Sequence, residues 1–200
     1  LYCILIGAPI WFVVGIIITL SPEFTKVLGT NENISAGIGV IYFYIGASIG
    51  NIIASILAQL TRSRKLTMLI FLVLNAISVL VFLNARGISN QQFILLSLII
   101  GITGGYLATL VIIATEQFGT NIRATVTTTV PNLVRGMLIP INAVFSLLLI
   151  HFNMIRSGVI LMVILTAIAL FALSKLKESF SNDLDYLETS ERDEKVVLLN

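Results

Sequence analysis

From Leu66 to Leu83 the chain reads Leu-Thr-Met-Leu-Ile-Phe-Leu-Val-Leu-Asn-Ala-Ile-Ser-Val-Leu-Val-Phe-Leu, without a single Asp, Glu, Lys or Arg. A hydrocarbon core of about 30 Å needs about 20 such residues in a helix. Barrel strands instead show short alternating segments. In lipid, only a helix satisfies the backbone polar groups of one continuous run. This stretch is therefore expected to be a transmembrane helix.

Five further runs extend the pattern: Leu1–Leu20, Ile34–Leu60, Phe93–Thr115, Ala124–Ile150 and Ser157–Leu173. Arg135, in the fifth of the six runs, is the only charged residue within any of them. Of the 200 residues, 57% are hydrophobic and 11% charged, with a mean hydropathy of +1.02. Soluble domains carry about 25% charged residues. The expected fold is an all-α membrane protein with six transmembrane helices over residues 1–174, followed by a tail over 175–200. That tail holds four basic and seven acidic residues. It reads as solvated, partly helical near the membrane and disordered beyond.

The runs Ile34–Leu60 and Ala124–Ile150 have 27 residues each, about 40 Å of helix. Tilt or bending must absorb the excess. Pro131 and Pro140 predict a kink in the second of them. The chain opens on Leu1 inside an apolar run, with no basic leader and no cleavage-like site. Sequence upstream is expected.

Basic residues set the orientation. The loop Thr61-Arg62-Ser63-Arg64-Lys65 carries three positive charges and should face the cytoplasm. That side then holds Arg62, Arg64, Lys65, Arg123, Lys175, Lys177, Arg192 and Lys195, against Lys26, Arg86 and Arg156 opposite. The C-terminus is expected in the cytoplasm. Short loops point to a bacterial inner membrane.

Arg135 lies twelve residues after Arg123, about 18 Å along the helix and near mid-bilayer. A charge there costs at least about 2.5–3.5 kcal/mol. At about 100° per residue, Thr125, Thr128, Asn132, Arg135, Asn142 and Ser146 share one helix face. Such a stripe lines a transport path or forms a polar helix interface. In the first reading Arg135 meets a solute or a coupling acid. In the second it caps carbonyls at a packing site. Asn51 and Tyr106 are weaker path candidates, because single polar residues in such helices most often bond to another helix. Asn75, Ser78, Thr103 and Thr109 are read the same way, while Tyr near a membrane boundary, as Tyr42 and Tyr44 can be, is most often an interfacial anchor.

Gly46 and Gly50 form one GxxxG, Gly101 and Gly105 another, and both predict close helix contacts. Gly104 beside Gly105 predicts a soft point in the fourth helix. Between the fourth and fifth helices, Glu116 ends one helix and Arg123 starts the next, against the dipole preference at both ends. Both must find other partners, or each other. Pairing of Glu116 and Arg123 with Arg62, Arg64 and Lys65 would make a cytoplasmic gate; a plain surface turn is the alternative.

The segment from Ala114 to Gly136, Ala-Thr-Glu-Gln-Phe-Gly-Thr-Asn-Ile-Arg-Ala-Thr-Val-Thr-Thr-Thr-Val-Pro-Asn-Leu-Val-Arg-Gly, resembles the corresponding part of major facilitator superfamily transporters. Glu116, Phe118, Thr120 and Arg123 match that family's pattern. The Thr61–Lys65 loop resembles its basic loop, with Gln59 where the family carries an acid. The resemblance covers the whole chain as a C-terminal six-helix half. It implies two inverted three-helix repeats, a site near the midplane and an N-terminal six-helix half as partner.

The function this implies is secondary active transport of a small polar solute by alternating access, coupled to an ion such as a proton. The solute is anionic if Arg135 meets it directly. A non-transporting receptor or scaffold is the alternative. The lone Cys3 and lone His151 argue against a disulfide, a zinc site or an intramembrane enzyme. No cofactor and no nucleic-acid partner are called for.

Overall fold

In the computed structural model, residues 2–30, 32–117, 120–176, 178 and 180 are described. Their regular structure is all helical, without strands. The order is α1 (Tyr2–Phe12), a π-helical turn (Val13–Ile18), α2 (Ser21–Val27), α3 (Ala36–Leu60), α4 (Arg64–Asn84), α5 (Asn90–Gly104), α6 (Leu107–Glu116), α7 (Thr120–Gly136), α8 (Leu138–His151) and α9 (Met154–Lys175). Five stretches are long and apolar enough to cross a membrane: α3, α4, α5–α6, the α7–α8 stretch from Asn121 to His151, and α9. A sixth results if Tyr2–Ile18 and α2, bent by 66°, form one span. The acidic tail beyond Phe180, Lys177 and Phe118 lie outside the described residues.

The bundle is tightest where α3 meets α5. A Cβ added to Gly46, Gly50 or Gly101 would strike a backbone carbonyl oxygen of the facing helix, and one on Gly105 would lie 2.6 Å from the Gly50 carbonyl carbon. Only glycine allows backbones this close, so the two GxxxG stretches are partners. One side of this pair is thereby fixed inward. The opposite face of α3 exposes Ile41, Ile45, Ile49, Ile52, Ile53 and Ile56.

α4 packs against both α5 and α9, while α1 lies against α9 and α7. Asn75 on α4 is fully buried; its Nδ2 donates to the Ile100 carbonyl and to Thr103 Oγ1, both at 3.3 Å. Ser78 Oγ lies 2.9 Å from the same Thr103 hydroxyl. These residues tie helix to helix, as such groups do in apolar surroundings. At one end of the bundle Phe12, Phe145, Phe24, Phe82 and Phe93 form a chain of ring contacts, with successive centroids 6.3–6.5 Å apart. Phe24 in this chain anchors α2, a helix that lies between the apolar runs Leu1–Leu20 and Ile34–Leu60.

Three of the spans are broken, each for a local reason. In the first, Pro9 lies inside α1, and the π-helical turn follows before the bend at Thr19 and Leu20. In the fourth, Gly105 and Tyr106 interrupt the helix directly after Gly104. In the fifth, Met137 alone interrupts the helix, and the Met137 N–H still donates to the Leu133 carbonyl and the Ile141 N–H to that of Met137. Pro140 has no N–H for the Gly136 carbonyl and its ring crowds that carbonyl, which places the break next to Arg135. Of the two prolines, Pro131 is accommodated inside α7.

Candidate functional site

Arg135 is carried by the last turn of α7 and is exposed. Its guanidinium carbon sits 4.9 Å from the centroid of the Trp11 ring, a cation–π contact. Among the described residues it makes no ion pair and no hydrogen bond. Trp11 itself is held by packing, since its indole N–H is buried without an acceptor. Nothing in the local sequence around Trp11 marked it; only the packing of α1 against α7 brings it to Arg135.

Thr125, Thr128, Asn132, Asn142 and Ser146 are all exposed, as the common helix face requires. Several satisfy themselves on their own helix: Asn132 Nδ2 donates to the Thr128 carbonyl at 2.8 Å, and Ser146 Oγ to that of Asn142 at 2.9 Å. Local bonds of this kind need no facing partner. Arg135 has no such outlet, and this sets it apart from the rest of the stripe.

Two cavities meet at Arg135. One of about 180 Å³ lies between α1, α3, α6 and α7, where Trp11, Phe43, Tyr44, Asn51 and Leu107 contribute to its wall. The other, about 530 Å³ and more open, is bounded by Asn132, Gly136, Leu138, Ile139 and Asn142. Asn51 thus lies close to the stripe, but with a structural duty. Its Oδ1 accepts the Ala108 N–H at 3.0 Å, at the start of α6, where helix donors are otherwise unpaired. The side chain of α3 thereby caps the break in the fourth span. Tyr106 is not brought to this site. It is fully buried, and its hydroxyl donates to the Ile6 carbonyl at 3.3 Å.

At the basic end of the bundle, Arg64 meets Glu116 through two parallel bonds, Nε to Oε2 at 2.7 Å and Nη2 to Oε1 at 2.6 Å. Both side chains are largely shielded, at 17% and 12% exposure. Fork-on-fork pairing is the strong geometry for these groups. The conflict of Glu116 and Arg123 with the helix dipoles is resolved here. Glu116 turns to Arg64, while Arg123 Nε reaches back to the Thr115 carbonyl at 3.1 Å, in the last turn of α6. Lys65 does the same for α9, donating to the Leu176 carbonyl at 2.8 Å. Cations are favoured at helix C-termini. Arg62 is exposed in the turn before α4, with φ of 49°.

Glu178, which the sequence placed in a solvated tail, joins this cluster. Its carboxylate accepts the Ser63 hydroxyl at 2.5 Å and the backbone N–H groups of Arg64 and Lys65 at 3.0 and 3.2 Å. It therefore caps the start of α4. Burial pushes its carboxyl pKa up, but the bonds from Ser63, Arg64, Lys65 and Phe180 outweigh this and hold it below its ordinary value. Arg64 also lies over the Phe180 ring, 5.6 Å from its centroid. A residue 115 positions from Ser63 left no local signal of this role.

No protein-family model matches the chain, and no curated protein matches its sequence.

Proposed function

We propose that this chain is the C-terminal six-helix half of a secondary active transporter of the major facilitator type, moving a small polar solute by alternating access. The observation that carries the reading is Arg135: a charge halfway along an apolar span, exposed on a polar face, with no ionic partner among the described residues. A membrane protein keeps such a group where water, solute or an opposing acid meets it. A mere anchor has no use for that cost. The cavities on either side of Arg135 and the broken helices beside it support the same reading, since binding sites in transporters are built on discontinuous helices.

The basic end is then cytoplasmic, in a bacterial inner membrane, and the C-terminus lies on that side. The Arg64–Glu116 pair acts as part of a cytoplasmic gate. Coupling to a proton or another ion, the two inverted three-helix repeats and a partner half facing α3 and α7–α8 belong to this proposal.

Single cysteines at Asn132, Asn142 and Ile164, in a Cys3→Ser background, test it in intact cells. The first two should react with a membrane-impermeant maleimide, and Ile164, an exposed apolar position on α9, should not. Silence at both stripe positions would defeat the water-lined path. Removing residues 179–200 separates the scaffold alternative: a transporter keeps solute uptake, whereas a scaffold loses its function with the helices intact.

A further inference from the structure

The cavity of about 180 Å³ beside Trp11 has room for about six waters at about 30 Å³ each. Most of its wall is apolar: Ile10, Val14, Phe43 and Leu107. Its polar side chains are few: Tyr44, Ser48, Asn51 and Arg135, beside the Trp11 indole. Asn51 has committed Oδ1 to the Ala108 N–H, so its uncommitted end is the Nδ2 donor. Ser48 donates its hydroxyl to the Tyr44 carbonyl at 2.9 Å, leaving an acceptor. Arg135 presents guanidinium donors that bond to no described residue, and its plane is steadied on the Trp11 ring. The cavity thus offers one fixed positive charge and an amide donor against an apolar wall.

We propose that this cavity is a subsite for a monocarboxylate with a short apolar body. The carboxylate takes the Arg135 fork, a geometry that suits its two oxygens, and a further bond from Asn51 Nδ2. The apolar body lies against Ile10, Val14, Phe43 and Leu107. A dianion fits worse, because one guanidinium neutralises one charge and a second would remain uncompensated in apolar surroundings. A neutral amide leaves the guanidinium charge unanswered. The subsite rests on the transport reading for its purpose, and names the solute class for it; its geometry stands separately.

Trp11 is the only tryptophan of the chain and lies under the guanidinium, so its emission reports on the site. The purified 200-residue chain in nanodiscs is titrated with acetate, butyrate, hexanoate, butyramide and inorganic phosphate. A saturable change with butyrate is expected, none with butyramide, and at least tenfold weaker binding of phosphate. Arg135→Gln should abolish the response. Asn51→Asp, which keeps the acceptor for Ala108 but loses the donor, should weaken it at least tenfold. Circular dichroism checks the fold; if Arg135→Gln loses helicity, Arg135→Lys decides, with about tenfold weaker binding expected. No response to any carboxylate, an equal response to butyrate and butyramide, or butyrate binding unchanged in the Arg135 variant would overturn the subsite. Uptake of labelled butyrate into proteoliposomes is read separately, with the full-length protein that carries the partner half. Binding without uptake sinks the transport reading and leaves the subsite. Uptake with normal kinetics in the Arg135 variant does the reverse.

Discussion

Replacing Gly50 by alanine tests the crossing of α3 and α5. The added Cβ would lie 2.8 Å from the Ile102 carbonyl carbon, closer still to its oxygen, and 3.0 Å from the Gly105 Cα. All three are backbone atoms, so no rotamer change relieves the clash. Ordinary Cβ contact begins near 3.4 Å, which requires the helices to part by at least about 0.6 Å; a gap of about 0.5–1 Å forfeits about a quarter to a half of each dispersive contact. Overpacking of this kind costs about 1–3 kcal/mol, and the better helix propensity of alanine returns up to about 1 kcal/mol. A net loss of about 1–2 kcal/mol lowers Tm by about 2–8 °C in a chain of this size. Thermal unfolding in nanodiscs, followed by helical circular dichroism, measures it. Gly136→Ala is the control, since nothing lies within 4 Å of a Cβ there, and it should be neutral or slightly stabilising. If Gly50→Ala melts with the control, the close backbone packing is refuted.

Asn51→Ala removes the cap of α6 and strands the Ala108 N–H, at a cost of about 1–3 kcal/mol; Asn51→Asp should recover most of it in the same melting assay, and equal loss in both variants would deny the cap. A double-mutant cycle of Arg64→Ala and Glu116→Ala should give a coupling of about 1 kcal/mol or more, because the pair is bidentate and largely shielded; coupling near zero would reduce it to a surface contact. Glu178 has a lowered folded pKa, so its stabilisation is full above the ordinary Glu value of about 4.3 and fades as pH falls through the folded value. The difference in Tm between the protein and Glu178→Gln should be present at neutral pH and vanish in acid; a difference that persists undiminished in acid would contradict the carboxylate cap.

How legible the molecule was depends on the reach of each signal. Apolar runs place the helices to within a few residues, because lipid-compatible length is a local property of sequence. The bends were partly legible. Gly104-Gly105 and Pro140 announce breaks through backbone chemistry that acts within one turn, whereas the π-helical turn at Val13–Ile18 and the small helix α2 did not. The α2 segment is held by Phe24 against Phe82 and Phe145, contacts with residues far along the chain. The common face of Thr125, Thr128, Asn132, Arg135 and Asn142 followed from rotation per residue alone. Tyr106 did not belong with them: its place in a broken segment packed on Ile6 turned it inward.

By itself, the sequence determined that the chain is helical, which stretches are apolar enough to cross a membrane, which residues share the polar face of α7 and α8, and that Glu116 and Arg123 needed partners beyond their own helices. Each of these follows from composition or from the 3.6-residue period. Tertiary structure alone decided which partners they found: Arg64 for Glu116, the α6 carbonyl of Thr115 for Arg123, Trp11 for Arg135, Asn51 for the start of α6 and Glu178 for the start of α4. The reason is physical. A helix fixes the direction of its own side chains, but what stands opposite them depends on how separate helices cross, and here that crossing is set by glycines that let α3 and α5 touch.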